Sequence, residues 1–131
     1  MARSYRELFV WQKAKALAVH VYQATERFPR CETYGLTSQI RRAVVSVASN
    51  IAEGQGRLTR GEFLNFLGQA RGSLLELDTQ LAIALDLSYL NASQYDIMDQ
   101  ELYQVLGLLN RLIDSLRKSK PSLVHLETLK P

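Results

Sequence analysis

The sequence contains little of the chemistry on which metal sites, disulfide frameworks and membrane spans depend. It has one cysteine and two histidines among 131 residues, which excludes an intrachain disulfide framework and leaves a cysteine-rich zinc site without ligands. No apolar run reaches the roughly 18 to 20 residues that span a bilayer. Charged residues interrupt the apolar part of the N-terminus, which argues against a signal peptide. We therefore expect a cytoplasmic protein without a metal or other cofactor.

Proline and glycine are also scarce, with three and seven residues, and this scarcity favours helix over sheet. Hydrophobic residues make up 47% and charged residues 22% of the chain, as is ordinary for a globular protein. The length suits one domain with a single core. We predict an all-α domain at residues 1–119, followed by an apolar segment at residues 120–131 that packs on a neighbouring subunit.

Apolar residues repeat at helical spacing in four segments that are bounded by helix start and stop signals. A capping box at Ser4 predicts the start of helix one, which ends before Pro29. The other predicted helices run from Leu36 to Gly54, from Thr59 to Leu87, and onward from Ser93. Because the connections are short, we predict an antiparallel up-down-up-down four-helix bundle.

Each predicted helix carries one apolar seam that should face the core. Further apolar residues lie outside the seams, and they predict a homo-oligomer because large exposed apolar patches usually mark an interface. The off-seam residues are Phe9, Val10, Leu64, Leu75 and Leu108. The seams are Trp11, Ala14, Ala18, Val21, Thr25 and Phe28 on helix one; Leu36, Ile40, Val44, Val47 and Ile51 on helix two; Phe63, Leu67, Ala70, Leu74, Leu77, Leu81 and Ala84 on helix three; and Met98, Leu102, Val105, Leu109, Leu112 and Leu116 on helix four.

Glycines and small polar residues predict how helices two and three meet. Gly54 is expected to end helix two in a left-handed conformation, and Gly68 and Gly72 are expected to allow close approach of the two helices. Beside them we predict a hydrogen-bond network that fixes helix register, with Arg57 neutralising one of its carboxylates. The network residues are Ser46, Ser49, Asn50, Glu53, Ser73 and Glu76.

The same carboxylates offer little support for catalysis. An enzyme that uses Glu53 and Glu76 would need a nucleophile, a metal or a base with a tuned pKa, and none accompanies them in the sequence. A carboxylate-bridged di-metal bundle would need Glu-x-x-His pairs, and neither histidine stands in one. We therefore predict that the protein is not an enzyme.

The net charge of +3 hides an asymmetry between the two halves of the chain. Residues 1–75 carry eleven Lys/Arg and five Asp/Glu, a formal charge of +6, whereas residues 76–131 carry five and eight, a charge of −3. The basic half predicts either an anionic partner such as RNA or an acidic surface on another subunit, and the residues alone do not choose between them. The candidate nucleic-acid-binding residues are Lys13, Lys15, Arg41, Arg42, Arg57, Arg60 and Arg71.

Several runs of sequence occur together in a way that resembles one known family. They are Leu8-Phe9-Val10-Trp11-Gln12-Lys13-Ala14, Phe28-Pro29, Tyr34-Gly35-Leu36, Ser38-Gln39-Ile40-Arg41-Arg42-Ala43, Ser49-Asn50-Ile51-Ala52-Glu53-Gly54 and Gly72-Ser73-Leu74-Leu75-Glu76-Leu77. Together they resemble the four-helix-bundle proteins encoded in intervening sequences of bacterial 23S ribosomal RNA genes. The run from Ser49 to Gly54 is the most specific part of the resemblance.

The resemblance implies a cytoplasmic homo-oligomer, commonly a pentamer, without enzymatic activity. The chain is also similar to the accessory variability protein of diversity-generating retroelements, a basic pentamer that binds nucleic acid and associates with a reverse transcriptase. Arg41, Arg42 and Arg57 match family motif positions, whereas the other candidate cations rest on charge alone. We predict a homo-oligomer that binds structured RNA or a ribonucleoprotein through its basic surface; the alternative is a protein-interaction scaffold without nucleic-acid binding.

Overall fold

A computed structural model describes residues 4–118 of the chain as four α-helices. They are α1 (Phe9–Thr25), α2 (Leu36–Gln55), α3 (Arg60–Asp86) and α4 (Ala92–Lys118), and short 3₁₀ turns precede α1 and α2. No strand occurs in this part of the chain, which confirms the all-α prediction. The apolar segment at residues 120–131, with its predicted contact to a neighbouring subunit, lies outside the described residues.

The first helix begins later than its capping signal predicts. The Ser4 hydroxyl accepts a hydrogen bond from the backbone N–H of Arg6 at 3.1 Å and so caps a 3₁₀ turn that ends at Glu7. Leu8 then takes an extended conformation with ψ of 123°, and α1 starts at Phe9. The interruption places the Leu8 side chain in the core, where it is 3% exposed.

Side-chain caps set the starts of α3 and α4. The Thr59 hydroxyl accepts from the backbone N–H of Glu62 at 3.1 Å, as the sequence predicts. At α4 the cap is Asn91, which accepts from the Gln94 N–H at 2.7 Å, while the Gln94 side chain accepts from the Asn91 N–H at 3.0 Å. The reciprocal pair starts α4 one residue before the predicted Ser93.

The core lies where the apolar seams of the four helices meet. Helices adjacent in sequence pack side by side, and α4 also packs against α1. The predicted seam of α3, from Phe63 to Ala84, is at most 1% exposed, and that of α4, from Met98 to Leu116, is at most 3% exposed. Burial of this surface is the main stabilising contribution to the fold. None of the described helices is apolar over a stretch long enough to cross a membrane.

The buried face of α1 differs from the predicted seam at two positions, and at each of them the buried residue is the one just before the predicted residue. Val10 and Leu17 are buried, at 6% and 0% exposure, whereas the predicted Trp11 and Ala18 are only partly buried at the edge of the core. Apolar residues occupy both alternatives, so periodicity alone allows two seams that differ by about 100° of helix rotation. Val10 is therefore a core residue and gives no evidence for an interface.

Gly54 has a packing role and not the capping role predicted for it. Helix α2 continues through it to Gln55, and no glycine in the described residues has a positive φ. A Cβ at Gly54 would lie 2.8 Å from the Cβ of Phe66 and 2.9 Å from Cδ1 of Phe63. Real Cβ atoms do not approach neighbours this closely, so glycine is needed for α2 to lie against α3.

The close approach predicted at Gly68 and Gly72 is wrong. Among the described residues, nothing outside the chain neighbours and the backbone of α3 itself lies within 4 Å of a Cβ built at either position, and both glycines are exposed on α3. The contact between α2 and α3 instead runs through Phe66 and Ser73, on the neighbouring face of the same helix.

We expect Gly54→Ala to lower the free energy of unfolding by about 1–3 kcal/mol, the usual effect of overpacking a core contact, because both phenylalanines must move. Denaturant unfolding measures the change. Gly72→Ala is the matched control on the open face of α3, and it should raise stability by up to about 1 kcal/mol through helix propensity. Equal losses in both variants would contradict a specific requirement for glycine at position 54.

Candidate nucleic-acid interface

The cations predicted on α1 lie on different sides of that helix. Residues two positions apart in an α-helix point about 200° away from each other, which separates Lys13 from Lys15. The Lys13 ammonium lies 5.3 Å from the ring centroid of Phe9, and that of Lys15 lies 5.5 Å from the ring centroid of Trp11. Each lysine is thus held by an aromatic ring on its own side of α1.

Arg41 joins α2 to the end of α1. Its Nε donates to the Thr25 hydroxyl at 3.0 Å and its Nη2 donates to the Tyr22 carbonyl at 3.2 Å. The guanidinium also lies 4.6 Å from the ring centroid of Tyr22. Arg41 is therefore built into the contact between two helices and differs from a freely moving surface cation.

Arg42 is exposed, and together with Arg41 it lines a cavity of about 450 Å³ between the end of α1 and the start of α2. Arg30 lines the same cavity, although it is not among the cations predicted from the sequence. Arg30 follows Pro29 in the loop between two helices that carry candidate cations. This position in the sequence could have identified it. We call this space the α1–α2 cavity.

Arg57 and Arg60 stand where α2 turns into α3. The Arg57 guanidinium lies 4.6 Å from the ring centroid of Phe66, and its Nη1 is 4.0 Å from a Glu62 carboxylate oxygen. The predicted pairing of Arg57 with Glu53 or Glu76 is therefore wrong, because the chain turns back at this point and brings the next helix within reach. Arg60 is the partly buried first residue of α3.

Arg71 lies in a surface groove of about 560 Å³ between α3 and α4. Its Nε donates to the Asn110 side-chain carbonyl at 2.9 Å. Arg117, near the end of α4, lines the same groove, as does one carboxylate, Asp114. Arg117 is not among the predicted cations, since its place opposite Arg71 depends on how the two helices pair. We call this feature the α3–α4 groove.

Only half of the predicted polar network forms between α2 and α3. The hydroxyls of Ser46 and Ser73 are hydrogen-bonded at 2.9 Å, and the Asn50 amide donates to the Ser46 hydroxyl and carbonyl, each at 2.9 Å. All three residues are partly buried. The other predicted members are exposed, because they point away from the line of contact: Ser49, Glu53 and Glu76.

Acidic side chains gather on the face of α3 and α4 that also carries the α3–α4 groove. The Tyr103 hydroxyl donates to Asp78 at 2.9 Å, two turns along both helices from the contact between Arg71 and Asn110, or about 10 Å. Burial raises the pKa of Asp99 above the ordinary value of 3.8, and a hydrogen bond with Asp78 and the charges of Asp78 and Asp96 raise it further. We call Asp78, Asp96 and Asp99 the acidic cluster.

The histidine and the cysteine of the described residues line neither the α1–α2 cavity nor the α3–α4 groove. His20 on α1 is hydrogen-bonded through Nδ1 to Glu101 on α4, and Cys31 is an exposed free thiol. Among residues 4–118, no three His, Cys, Asp or Glu side chains are grouped so that they could hold a metal ion.

Comparison with known proteins gives one family and one fold. The family model for the 23S rRNA-intervening sequence protein matches residues 6–111. A solved structure of a protein with unknown function from the S23 ribosomal protein family of Bacteroides thetaiotaomicron is similar with a TM-score of 0.72 and 23% identity, over 79% of this chain and 97% of that one. At this identity the likeness concerns the fold alone. No curated protein matches the chain.

We expect Asp99→Asn to stabilise the protein at pH 7. A carboxyl whose folded-state pKa is raised loses stability as pH rises from 3.8 through the folded pKa, so ionised Asp99 is unfavourable at neutral pH. Solvent screening limits the gain to about 0.5 kcal/mol. Thermal unfolding at pH 7 and at pH 3 measures it, and the gain should disappear at the lower pH, where Asp99 is protonated in both states.

Glu53→Gln, which neutralises an exposed carboxylate outside the acidic cluster, is the control. An equal rise in the melting temperature of both variants at pH 7 would show that net charge, and not the acidic cluster, is responsible.

Proposed function

Because this chain belongs to the family of 23S rRNA-intervening sequence proteins, we propose that it is a cytoplasmic, non-catalytic homo-oligomer that binds RNA or a ribonucleoprotein through ordered surface cations. One observation carries the proposal. Most candidate cations are held by aromatic rings and neutral polar groups, which leave their charge available to phosphates. The contacts are those of Lys13 with Phe9, Lys15 with Trp11, Arg41 with Tyr22 and Arg71 with Asn110, whereas Arg57 lies over Phe66 but also faces the Glu62 carboxylate at 4.0 Å.

An aromatic ring orders a cation without neutralising it. The interaction is worth about 0.5–1 kcal/mol at an exposed site, whereas a carboxylate in the same place would cancel the charge that a phosphate needs. Prior ordering also reduces the side-chain entropy lost on binding. Some of the rings are themselves accessible, since Tyr22 is 41% exposed, and an exposed ring can stack on an unpaired base.

The proposed arrangement of the bundle is antiparallel, up-down-up-down. Two contacts between α2 and α3 support it: Ser46 meets Ser73, whereas Gly54, about two turns later on α2, faces Phe66, two turns earlier on α3. The numbering runs in opposite senses along the two helices. The short connection between α3 and α4, at residues 87–91, supports the same order.

The proposed homo-oligomer, expected to be a pentamer, would repeat each cation several times and so multiply weak phosphate contacts. Its support comes from exposed apolar side chains. Leu75 is 37% exposed, Ile83 46% and Leu58 98%. Leu64 and Leu108, which the sequence also suggested for an interface, are partly buried against the core of the single chain.

The proposed absence of catalysis is supported by where the polar groups bond. Ser46 and Ser73 are hydrogen-bonded to each other between α2 and α3, whereas His20 is bonded to Glu101 between α1 and α4. A serine nucleophile needs a base within hydrogen-bond reach. The Ser46–Ser73 pair therefore supports a structural role.

The α3–α4 face favours the second candidate function, a protein-interaction scaffold without nucleic-acid binding. Arg71 and Arg117 lie in the groove at one end, and the acidic cluster begins two turns from Arg71, at Asp78, and continues along α4 through Asp99 to Asp96. Opposite charges therefore follow one another along a single face. A second copy could bind there with the arginines of its groove against the acidic cluster of the first copy. Such an assembly would use Arg71 and Arg117 itself, so that neither arginine would be available to RNA.

We expect the protein to bind a structured RNA hairpin with an affinity that falls steeply as salt rises, because phosphate contacts release counterions. The double variant Lys13→Ala and Lys15→Ala, which removes two ring-held cations, should reduce the slope of log affinity against log salt by roughly 1.4–1.8. Fluorescence anisotropy over a salt series measures the slope.

Arg27→Ala with Arg111→Ala is the charge-matched control, since it removes two exposed arginines that make no aromatic contact in the described structure. Its slope should stay close to that of the unmodified protein. Equal slopes for the two double variants would refute the importance of ring-held cations. An RNA affinity that does not change with salt would favour the scaffold function.

A further inference from the structure

The α1–α2 cavity is distinct from the α3–α4 groove and is formed by a different part of the chain. Its volume of about 450 Å³ lies within the range of small-molecule sites. The walls come from the end of α1, the loop that follows it, and the first turns of α2. A single local segment of the chain therefore forms the whole site, and it does so without help from α3 or α4.

The charge of the cavity is positive. Three arginines, Arg30, Arg41 and Arg42, line it together with one carboxylate, Glu26, which gives a formal charge of +2. Neither Arg30 nor Arg42 forms an ion pair within residues 4–118, and both are exposed. The site is suited to an anion with more than one negative charge.

Arg41 is already fixed in the position from which it would bind. A guanidinium has five N–H donors, and the hydrogen bonds to Thr25 and Tyr22 use two of them. Three donors are left for a ligand at the cavity wall. Because the side chain is immobilised before binding, less conformational entropy is lost when it engages a phosphate.

The first turn of α2 adds neutral donors to the same wall. Thr37 and Ser38 line the cavity, and they belong to the first turn of α2, whose N–H groups have no partner inside the helix. The Leu36 N–H of this turn donates to the Glu32 carboxylate at 3.0 Å, so the N–H groups of Thr37 and Ser38 are the ones that a ligand would use. Helix N-termini favour phosphate. A second feature points to a ligand: the Thr37 hydroxyl is buried, in a residue only 8% exposed, and has no hydrogen-bond partner among residues 4–118.

An aromatic rim completes the site. Tyr34 lines the cavity and is 97% exposed, a position in which its ring gains almost nothing from packing within the chain. Tyr22, whose ring lies 4.6 Å from the Arg41 guanidinium, lines the cavity too. Positive charge and an exposed ring in one cavity match a ligand with a phosphate at one end and a planar base at the other.

We infer that the α1–α2 cavity binds one nucleotide, with the phosphate against Arg41, Arg42 and the start of α2, and the base against Tyr34. The same chemistry is supplied by a free nucleoside monophosphate and by an unpaired nucleotide of an RNA chain. The inference rests on the proposed RNA binding only for the second source. The α1–α2 cavity would then read a single unpaired nucleotide, while the other cations contact phosphates without regard to sequence.

Titration calorimetry of the full chain at low salt tests the inference. Four probes separate the contributions: adenosine 5′-monophosphate, adenosine, inorganic phosphate and a short single-stranded oligoadenylate. The monophosphate should bind at least tenfold more tightly than adenosine or phosphate alone. Arg42→Ala should weaken its binding by about tenfold or more, and Tyr34→Ala by about fivefold or more. Both residues are exposed, so these variants should fold, as circular dichroism can verify.

Arg111→Ala is the matched control, because it removes an exposed arginine from α4, away from the cavity. Its affinity for the monophosphate should be unchanged. Equal weakening by Arg42→Ala and Arg111→Ala would overturn the inference, since nonspecific charge would then explain binding. Inorganic phosphate that binds as tightly as the monophosphate would overturn the role of the base.

The oligoadenylate separates this inference from the proposed function. If oligoadenylate binds, the monophosphate does not, and Arg42→Ala has no effect, RNA binding stands and the nucleotide site is refuted. If the monophosphate binds through Arg42 and Tyr34 but neither oligoadenylate nor the RNA hairpin does, the site is supported with a free nucleotide as its ligand, and the proposed RNA binding fails.

Discussion

The packing of α2 against α3 is the constraint on which the rest of the structure depends. A Cβ at Gly54 would lie within 3 Å of Phe63 and Phe66, so the helices can lie this close only where α2 lacks a side chain. The hydroxyl pair of Ser46 and Ser73 holds the same contact further along. Phe63 is fully buried as a result, and the apolar faces of α1 and α4 complete the core around this helix pair.

Aromatic rings lie at the edge of this compact core, and cationic side chains pack on them. Trp11 and Phe66 are partly buried, because their positions at the edge of the core let neighbouring helices cover only part of each ring. Lys15 and Arg57 lie over them. The long side chains cover apolar ring surface while the charged ends stay in solvent. Helix packing and surface charge are thus linked, because the same rings contribute to both.

The bundle distributes charge among several surfaces, and each surface has a different chemistry. The α1–α2 cavity combines arginines with hydroxyls and an exposed ring. The α3–α4 groove combines arginines with an amide and a carboxylate, and the acidic cluster follows it on the same face. A uniform basic surface would favour simple charge neutralisation. The separation seen here underlies the two proposals, because the α1–α2 cavity suits an anion and the α3–α4 face suits a second copy.

The sequence alone determined the number of helices, most of their ends and the seams of α3 and α4, because these follow from local spacing and caps. It left the α1 seam ambiguous, since both Val10 and Trp11 are apolar and only neighbouring helices select between them. The role predicted for Gly54 was wrong, because the sequence does not distinguish a glycine that ends a helix from one that allows close packing. Only the fold places Phe66 beside Gly54. The partners of the arginines were decided by tertiary structure too. The sequence shows where the charged residues are, but whether a charged side chain contacts a ring, contacts an amide or lines a cavity depends on residues distant in the chain.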